Sequence, residues 1–280
     1  MNLFAEVWRV SFGDLCFLRR HLPETVISAM MGPLLYLIAF AYGMRAGDTE
    51  MGVSYVAYAI PGIVAMSSMT AGFMSTAQKL IIQRLFHTSF DEMILCPLHV
   101  SSIVLGKAVI GMIRGLMGSL ILLVIGALLT PEVILGPGIV VSILLSCLTF
   151  SLLGVAAGLL ARSSATLNVF TSLVILPMTF LCGTLFQVDS LPPVVSEIVW
   201  ALPLSHSSEM IRAVALGWDI PWLSVALMLL YLVAFFLLDY WIIKGKHYWG
   251  GGGSPPRGLG TLPPCPPVSR RSRGPFRSPG

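Results

Sequence analysis

The sequence predicts an all-α, polytopic membrane protein with six transmembrane helices. A helix needs roughly 20 mainly apolar residues to cross a bilayer, and six stretches of about this length are present: residues 26–42, 55–77, 106–129, 138–161, 167–186 and 222–243. Of the 280 residues, 56% are hydrophobic and only 11% are charged, whereas ordinary globular domains have roughly 25% charged residues. We therefore expect one six-span membrane domain over residues 24–248.

The distribution of Lys and Arg predicts the orientation of this domain. Loops rich in these residues stay on the cytoplasmic side of the membrane. The predicted outer side has Arg45 and Arg212, whereas the inner side has Arg9, Arg19, Arg20, Lys79, Arg84, Lys107, Arg162, Lys244 and Lys246. An even number of spans agrees with this asymmetry. We expect a multi-pass protein of the plasma (inner) membrane with both termini in the cytoplasm.

Residues 1–23 are predicted to form an amphipathic helix ahead of the first span. Apolar side chains recur there at steps of three and four residues, including Phe4, Trp8, Phe12 and Leu15. Such a helix lies in the plane of the membrane interface, and Pro23 would end it because a proline disfavours helical backbone in the residue before it. The alternative is a helix that packs on a soluble partner.

The longest polar interruption on the inner side runs from residue 78 to residue 105. Ser89 with Glu92 three residues later has the spacing of a helix-capping pair, so this stretch predicts a short helix beneath the membrane. Its candidate docking residues are Arg84, His87, Phe90, Asp91 and Glu92. The alternative is a solvated connector without a partner.

The outer segment 187–221 contains apolar runs at 194–202 and 207–216 that are too short to span. Irregular backbone at membrane depth requires protein or water to satisfy its polar groups. Two short re-entrant helices beside a cavity are therefore predicted, with Pro192, Trp200, Pro203 and Arg212 as their notable residues. The alternative is an ordinary surface loop. The Gly-, Pro- and Arg-rich tail, residues 249–280, is predicted to be disordered.

The sequence offers no catalytic, cofactor-binding or metal-binding constellation. Gly106 and Lys107 lack both the earlier glycine and the following Ser or Thr of a phosphate-binding loop, and all five histidines fall at or outside the span ends. Pairs of carboxylates inside the spans, which ion-coupled carriers usually need, are missing too. We expect a non-enzymatic protein with no cofactor of its own, no ion coupling and no nucleic-acid partner.

Three polar or helix-breaking residues inside the spans are candidates for a transport pathway. Arg114 follows Lys107 by about 10 Å of helix rise, so it either snorkels to the inner interface, pairs with Asp239, or lines a route for an anionic group. Asn168 and Pro177 in the fifth span are packing or kink residues, or ligand contacts. Small residues allow close helix contact in the third and fourth spans, namely Gly111, Gly115, Gly118, Gly154 and Gly158.

From residue 3 to residue 248 the chain resembles the ABC-2 permeases, the membrane subunits of type-2 ABC exporters for drugs, lipo-oligosaccharides and polysaccharides. The resemblance depends on the order of several loose motifs. They are Tyr-Ala-Ile-Pro-Gly at 58–62, Asp-Glu-Met-Ile-Leu-Cys-Pro-Leu at 91–98, Val-Leu-Gly-Lys at 104–107, the run from Pro177 to Phe186, Leu-Pro at 191–192 and Pro-Leu-Ser at 203–205. Cys182 stands where many relatives have serine, which is a mild departure.

The resemblance implies a half-transporter that exports an amphiphile such as a drug, a lipid or a lipid-linked saccharide. Two copies of the chain, most simply a homodimer, would enclose one route through the bilayer. Two copies of a separate ABC ATPase would bind ATP and Mg beneath them. Residues 84–92 would form the coupling helix that docks on this ATPase, the N-terminal helix would also contact it, and residues 194–216 would form the two short outer helices.

Two other classes of function remain open at this stage. A nucleotide-independent channel or secondary carrier would give gradient-driven flux in liposomes that contain this chain alone. A scaffold that only recruits other proteins would give no flux. An ATPase with a phosphate-binding loop, encoded beside this chain, would favour the exporter.

Overall fold

The computed structural model of the chain describes residues 3–43, 55–85, 99–130, 133, 136–181, 197 and 199–249. Every regular element within these ranges is helical, which confirms the predicted all-α class. The elements are α1 (Leu3–Arg20), α2 (Leu22–Gly43), α3 (Tyr55–Leu85), α4 (Val100–Leu129), α5 (Pro137–Leu160), α6 (Ser164–Phe170), a π-helical turn (Thr171–Ile175), α7 (Leu176–Leu181), α8 (Pro203–Leu216) and α9 (Trp222–Trp249).

Four of the described helices are long and apolar enough to cross a membrane. They are Val56–Leu85 in α3, Val100–Leu129 in α4, Pro137–Leu160 in α5 and Trp222–Gly245 in α9. The predicted first span corresponds to α2, and part of the predicted fifth span corresponds to the shorter apolar helix Ser164–Phe180. Neither of these is among the four, so the count of six spans stays a prediction.

The predicted inner loop is shorter than the sequence suggested. Helix α3 continues to Leu85 and α4 begins at Val100, so Lys79, Arg84 and Lys107 lie on helices and not in a connector. The helices can extend this far because each of these polar side chains finds a partner there. The core of the predicted coupling helix, with His87, Phe90, Asp91 and Glu92, lies outside the described residues.

The centre of the fold is a tight three-helix packing of α3, α4 and α5, formed at small residues. A Cβ atom added to Gly154 would lie 2.6 Å from the carbonyl oxygen of Phe73, and one added to Gly111 would lie 2.7 Å from that of Gly72. Such distances leave no space for a side chain. The predicted role of these glycines in close helix contact is therefore confirmed.

Hydroxyl groups connect the same helices inside this packing. The Oγ1 of Thr76 and the Oγ of Ser151 are 2.8 Å apart, and those of Ser68 and Ser146 are 2.7 Å apart. Ser207 of α8 also donates to Ser146 Oγ, at 2.7 Å. Interhelical hydrogen bonds of this kind support helix association where water is absent, and here they attach the outer helix α8 to α5.

The helix that follows α5 changes its geometry in the middle. The π-helical turn Thr171–Ile175 widens it immediately before Pro177, which cannot donate a backbone hydrogen bond. Pro177 and Asn168 are both exposed on the surface of the chain. The structure thus places a backbone irregularity at the proline that the sequence singled out, and it leaves Asn168 pointing away from the three-helix core.

Substitution of Gly154 by alanine is expected to destabilise the protein by about 1–3 kcal/mol, because the added methyl group overpacks α5 against the backbone of α3. Gly32 of α2 is the matched control, since a Cβ atom there has no neighbour within 4 Å. Unfolding in mixed detergent–SDS micelles measures both variants. Equal stability of the Gly154→Ala and Gly32→Ala proteins would contradict the close packing.

Candidate functional site

A cavity of about 440 Å³ lies between α2, α3, α4 and α7 and is open at the surface of the chain. Its walls are mainly apolar, but hydroxyl and amide groups interrupt them. The lining residues are Thr25, Ser28, Gly32, Pro33, Tyr36, Met66, Thr70, Ala71, Met74, Ser75, Gln78, Arg114, Leu176, Thr179 and Phe180. A mixed surface of this kind suits a molecule with both apolar and polar parts.

A second cavity, of about 420 Å³, adjoins the first and has more charged side chains in its lining. Its lining residues are Gly13, Asp14, Ser75, Gln78, Lys79, Ile82, Gln83 and Arg114. Ser75, Gln78 and Arg114 line both cavities. The two spaces therefore meet at Arg114, with an apolar chamber on one side of it and a charged chamber on the other.

Arg114 does not pair with Asp239, so that interpretation of the sequence is wrong. The Nε atom of Arg114 is buried without a hydrogen-bond partner among the described residues. Asp239 is fully buried in α9, and neither of its carboxylate oxygens has a partner within the described ranges. Arg114 instead lines the two cavities, and a role in a transport route stays a prediction.

Asp14 of α1 is the centre of a polar cluster near the carboxyl-terminal end of α3 and the amino-terminal end of α4. Its carboxylate accepts a bond from Lys107 Nζ at 3.1 Å, forms an ion pair with Lys79 Nζ at 3.0 Å and accepts from Gln83 Nε2 at 3.1 Å. Lys107 also donates to Gln83 Oε1 at 2.7 Å. Burial alone would raise the pKa of Asp14, but the ammonium groups of Lys107 and Lys79 outweigh it and hold this pKa below its ordinary value of 3.8.

A second carboxylate of α1, Glu6, binds the first turn of α4. Ser102 Oγ donates to Glu6 Oε2 at 2.8 Å, the ring Nδ1 of His99 lies 3.0 Å from the same oxygen, and the backbone N–H of His99 also points to it. These hydrogen bonds, first that of Ser102 and then that of the His99 ring, lower the pKa of Glu6 below 4.5. Glu6 also accepts a hydrogen bond from the backbone N–H of His99, at the start of α4, where backbone N–H groups have no partner within the helix.

The sequence analysis did not single out the two acids of α1 that face the rest of the fold. Glu6 and Asp14 are both buried against the neighbouring helices, Glu6 on α4 and Asp14 on α3 and α4. The spacing of eight residues between them puts both on one helix face, and this was the signal that could have identified them. The exposed face of α1 carries Trp8 and Phe12, whose rings are 6.4 Å apart.

The exposed aromatic side chains agree with an interfacial helix, while Leu15 is half-buried. Phe4 lies in α1, but its side chain is outside the described part of the chain. The lipid-facing role of these four residues stays a prediction.

Arg84, the one predicted coupling residue inside the described ranges, is bonded to the end of α5. Its Nη1 donates to the carbonyl oxygens of Gly158, of Leu159 at 2.8 Å and of Ala161 at 3.3 Å. A cation at the last carbonyls of a helix satisfies acceptors without an intrahelical partner and complements the helix dipole. Arg84 thus connects the carboxyl-terminal end of α3 to the carboxyl-terminal end of α5.

Helix α8 lies within the segment 194–216, in which the sequence predicted two short outer helices. Its side of the membrane and its depth in it stay predictions. Pro203 opens the helix, and Gly217, with a φ of 71°, ends it. The guanidinium of Arg212 lies 3.7 Å from the ring centroid of Tyr58, and its Nε donates to the Tyr58 carbonyl at 3.3 Å. The motif at 58–62 and the outer helix are therefore in direct contact.

A small polar cluster joins α8 to α9. Ser224 Oγ donates to Glu209 Oε2 at 2.6 Å and lies 3.3 Å from His206 Nδ1, while His206 Nε2 donates to the carbonyl of Trp200 at 2.8 Å. Since Ser224 stands between the acid and the imidazole, the arrangement is not that of a nucleophilic serine with a histidine base. Trp200 packs edge-on against His206. Pro192 lies outside the described residues.

Substitution of Arg212 by glutamine is expected to cost about 1–2 kcal/mol, because a desolvated cation over an aromatic ring is lost together with a hydrogen bond. Tyr58→Leu removes the ring but keeps the carbonyl acceptor. A double-mutant cycle of the two changes, measured by SDS-induced unfolding, isolates the ring contact. Strict additivity of the two effects would contradict it.

The comparisons with known proteins agree on one family. Residues 16–216 match the family model described as "ABC-2 type transporter". The chain is 29% identical to "Nodulation protein J" of Neorhizobium galegae over 87% of this chain and 93% of that protein. It is 31% identical to "Nodulation protein J" of Rhizobium leguminosarum bv. trifolii over 69% of this chain and 76% of that protein.

A third relative has a name that states its location. The chain is 25% identical to "Inner membrane transport permease YadH" of Escherichia coli (strain K12), over 79% of this chain and 88% of that protein. Together with the four long apolar helices, these matches support an integral inner-membrane protein. Permeases of this family normally work with an ABC ATPase. The chain belongs to the ABC-2 type transporter family and is a membrane transport subunit.

Proposed function

We propose that this chain is the membrane half of an ATP-driven exporter that moves an amphiphilic drug, lipid or lipid-linked saccharide out of the cytoplasm or the inner leaflet. In this proposal the domain has six spans, both termini lie in the cytoplasm, and two copies of an ABC ATPase hold the ATP and Mg. The observation that carries the proposal is the cavity at Arg114, which lies between α2, α3, α4 and α7 and opens at the chain surface.

The open side of this cavity favours a pair of permease chains. Large apolar side chains are exposed on both helices beside it, including Met31 and Leu35 of α2 and Leu176 and Phe180 of α7. A second copy that packs against these faces would close the two cavities into one enclosed route. A homodimer is the simplest assembly that uses the same surface twice.

The inner contacts explain how force on the connector 86–98 would reach the membrane helices. Before this connector, Arg84 bonds the end of α3 to the end of α5. After it, His99 and Ser102 bond the start of α4 to Glu6 of α1. A push from an ATPase on residues 84–92 would then move α1, α3, α4 and α5 together.

In this mechanism the helix at 164–181 supplies the movable wall. Its π-helical turn and Pro177 weaken the regular hydrogen bonding, so this wall can bend relative to the three-helix core. Closure of the ATPase pair would shift the second and fifth spans and open the outer end, where Arg212 holds α8 against Tyr58.

Co-purification of this chain with ABC ATPases from its own organism tests the assembly. Native mass spectrometry of the complex, extracted together from membranes, is expected to give two permease chains with two ATPase chains. A stable permease pair that never retains the ATPase would overturn the proposal and would favour the nucleotide-independent channel or carrier.

A further inference from the structure

We propose that the paired cavities at Arg114 form a cargo-binding site for an amphiphile with an anionic head group, such as a phosphate or a carboxylate. The inference rests on the proposed function in taking these cavities as the place where cargo binds. It adds the sign of the charge on the cargo and the residue that recognises it.

The first argument is the balance of charge. Three cations, Lys79, Lys107 and Arg114, line or adjoin the second cavity, and Asp14 is the one acid among its described lining residues. The sum is +3 − 1 = +2. Asp14 is already bonded to both lysines and to Gln83, and it forms no hydrogen bond or ion pair with Arg114 among the described residues. An uncompensated positive charge at this depth favours an anion.

The second argument is the state of the Arg114 side chain. A guanidinium has five N–H donors, yet its buried Nε has no hydrogen-bond partner among the described residues. A buried donor without a partner is costly. Because the Arg114 side chain lines both cavities, a phosphate or carboxylate placed where they meet would accept hydrogen bonds from its guanidinium, and the planar guanidinium of Arg suits bidentate binding of such groups.

The third argument is the shape and polarity of the two spaces. The first cavity offers Tyr36, Met66, Met74, Leu176 and Phe180 to an apolar tail. The second cavity offers Lys79 and Gln83 to a head group. An amphiphile with its head group at Arg114 would therefore place its apolar tail in the first cavity. Polar groups attached to the head group would lie in the second, charged cavity.

Binding of two amphiphiles with the same tail tests the proposal. The full chain is placed in phosphatidylcholine nanodiscs, and the affinities of hexadecyl phosphate and hexadecyl maltoside are measured by displacement of a fluorescent amphiphile. Wild type is expected to prefer the phosphate roughly tenfold to a hundredfold, the range for a charge-assisted hydrogen bond. Arg114→Gln should lose this preference, and Arg162→Gln, a change at an exposed arginine outside both cavities, should keep it.

Two further arms make the result decisive. Arg114→Lys keeps the charge and should retain a weaker preference for the phosphate, which covers the case in which the glutamine variant does not fold. Nanodiscs of phosphatidylglycerol test whether an anionic bilayer lipid occupies the same site. If this lipid abolishes the binding of hexadecyl phosphate, the assignment as a cargo site is overturned. Equal affinity of wild type for both amphiphiles, or an unchanged preference in Arg114→Gln, would overturn the anionic head group.

These measurements use neither the ATPase nor ATP, so their result tests the anionic cargo site independently of the proposed exporter function. A permease that associates with its ATPase but shows no phosphate preference leaves the exporter intact and removes only the inference. A permease that prefers the phosphate but never binds an ATPase removes the exporter and keeps the site.

Discussion

Replacement of Asp14 by asparagine is expected to lower the free energy of unfolding by roughly 3–5 kcal/mol, the cost of leaving buried charge without its partner. Lys107 is 4% exposed and depends on Asp14 and Gln83 for its contacts. Without the carboxylate, Lys107 and Lys79 would repel each other next to Arg114. Helix α1 would then lose its main polar attachment to α3 and α4.

SDS-induced unfolding measures this loss, and a spin-label distance between α1 and α5 reports whether α1 has moved. Asp219→Asn, an identical change at an exposed position of the outer side, is the matched control and should be neutral. The double variant Asp14→Leu/Lys107→Leu should recover part of the stability, because a buried apolar pair costs less than a lone charge. A neutral Asp14→Asn protein would contradict the stabilising role of this ion-pair cluster.

The same contacts give the attachment of α1 a defined response to acid. The pKa values of Glu6 and Asp14 are both lowered, so their stabilising effect is complete above the ordinary values of 4.5 and 3.8. It is lost as the pH falls through the lower values of the folded state. The spin-label distance should therefore stay constant at neutral pH and lengthen only in strong acid. Release of α1 at a higher pH would contradict the lowered pKa values.

Charge reversal at the inner connector is expected to have the largest functional effect. In Asp91→Lys/Glu92→Lys, ATP hydrolysis stimulated by the permease should disappear, because the acids proposed to dock on the ATPase become basic. Membrane insertion and thermal stability should remain those of wild type. The measurement is phosphate release by the ATPase in proteoliposomes with wild-type or variant permease.

The matched control reverses two exposed carboxylates on the predicted outer side, in Glu197→Lys/Asp219→Lys. It should leave the stimulation intact, which excludes a general effect of added positive charge. Full stimulation by the Asp91→Lys/Glu92→Lys protein would remove residues 84–92 from the docking surface.

The membrane class and the glycine contacts could be predicted from the sequence because both follow from local composition, and the family could be predicted from the order of its motifs. Apolar length identifies the helices, and small residues at helical spacing identify the faces that meet. Gly111 and Gly154 were found in this way, and the structure places both against backbone atoms of neighbouring helices.

The partners of the charged residues could not be predicted, because they depend on which helices lie side by side. Asp14 and Lys107 are separated by 93 positions, yet they form an ion pair. For Arg114, the sequence suggested a pair with Asp239 as one of three interpretations. In the structure Arg114 lines the two cavities, and Asp239 is buried in α9 without a partner among the described residues. The sequence predicted Arg84 to be a docking residue. Its hydrogen bonds to the end of α5 could be seen only in the tertiary structure.

The most direct test of the exporter is transport by the reconstituted complex. Proteoliposomes that contain the permease and its ATPase, with the ATPase outside, are loaded with a fluorescent anionic amphiphile in the outer leaflet and supplied with Mg-ATP. The account predicts one-way movement away from the ATPase side that requires the ATPase and ATP. Equal movement in both directions by the permease alone, without nucleotide, would contradict it.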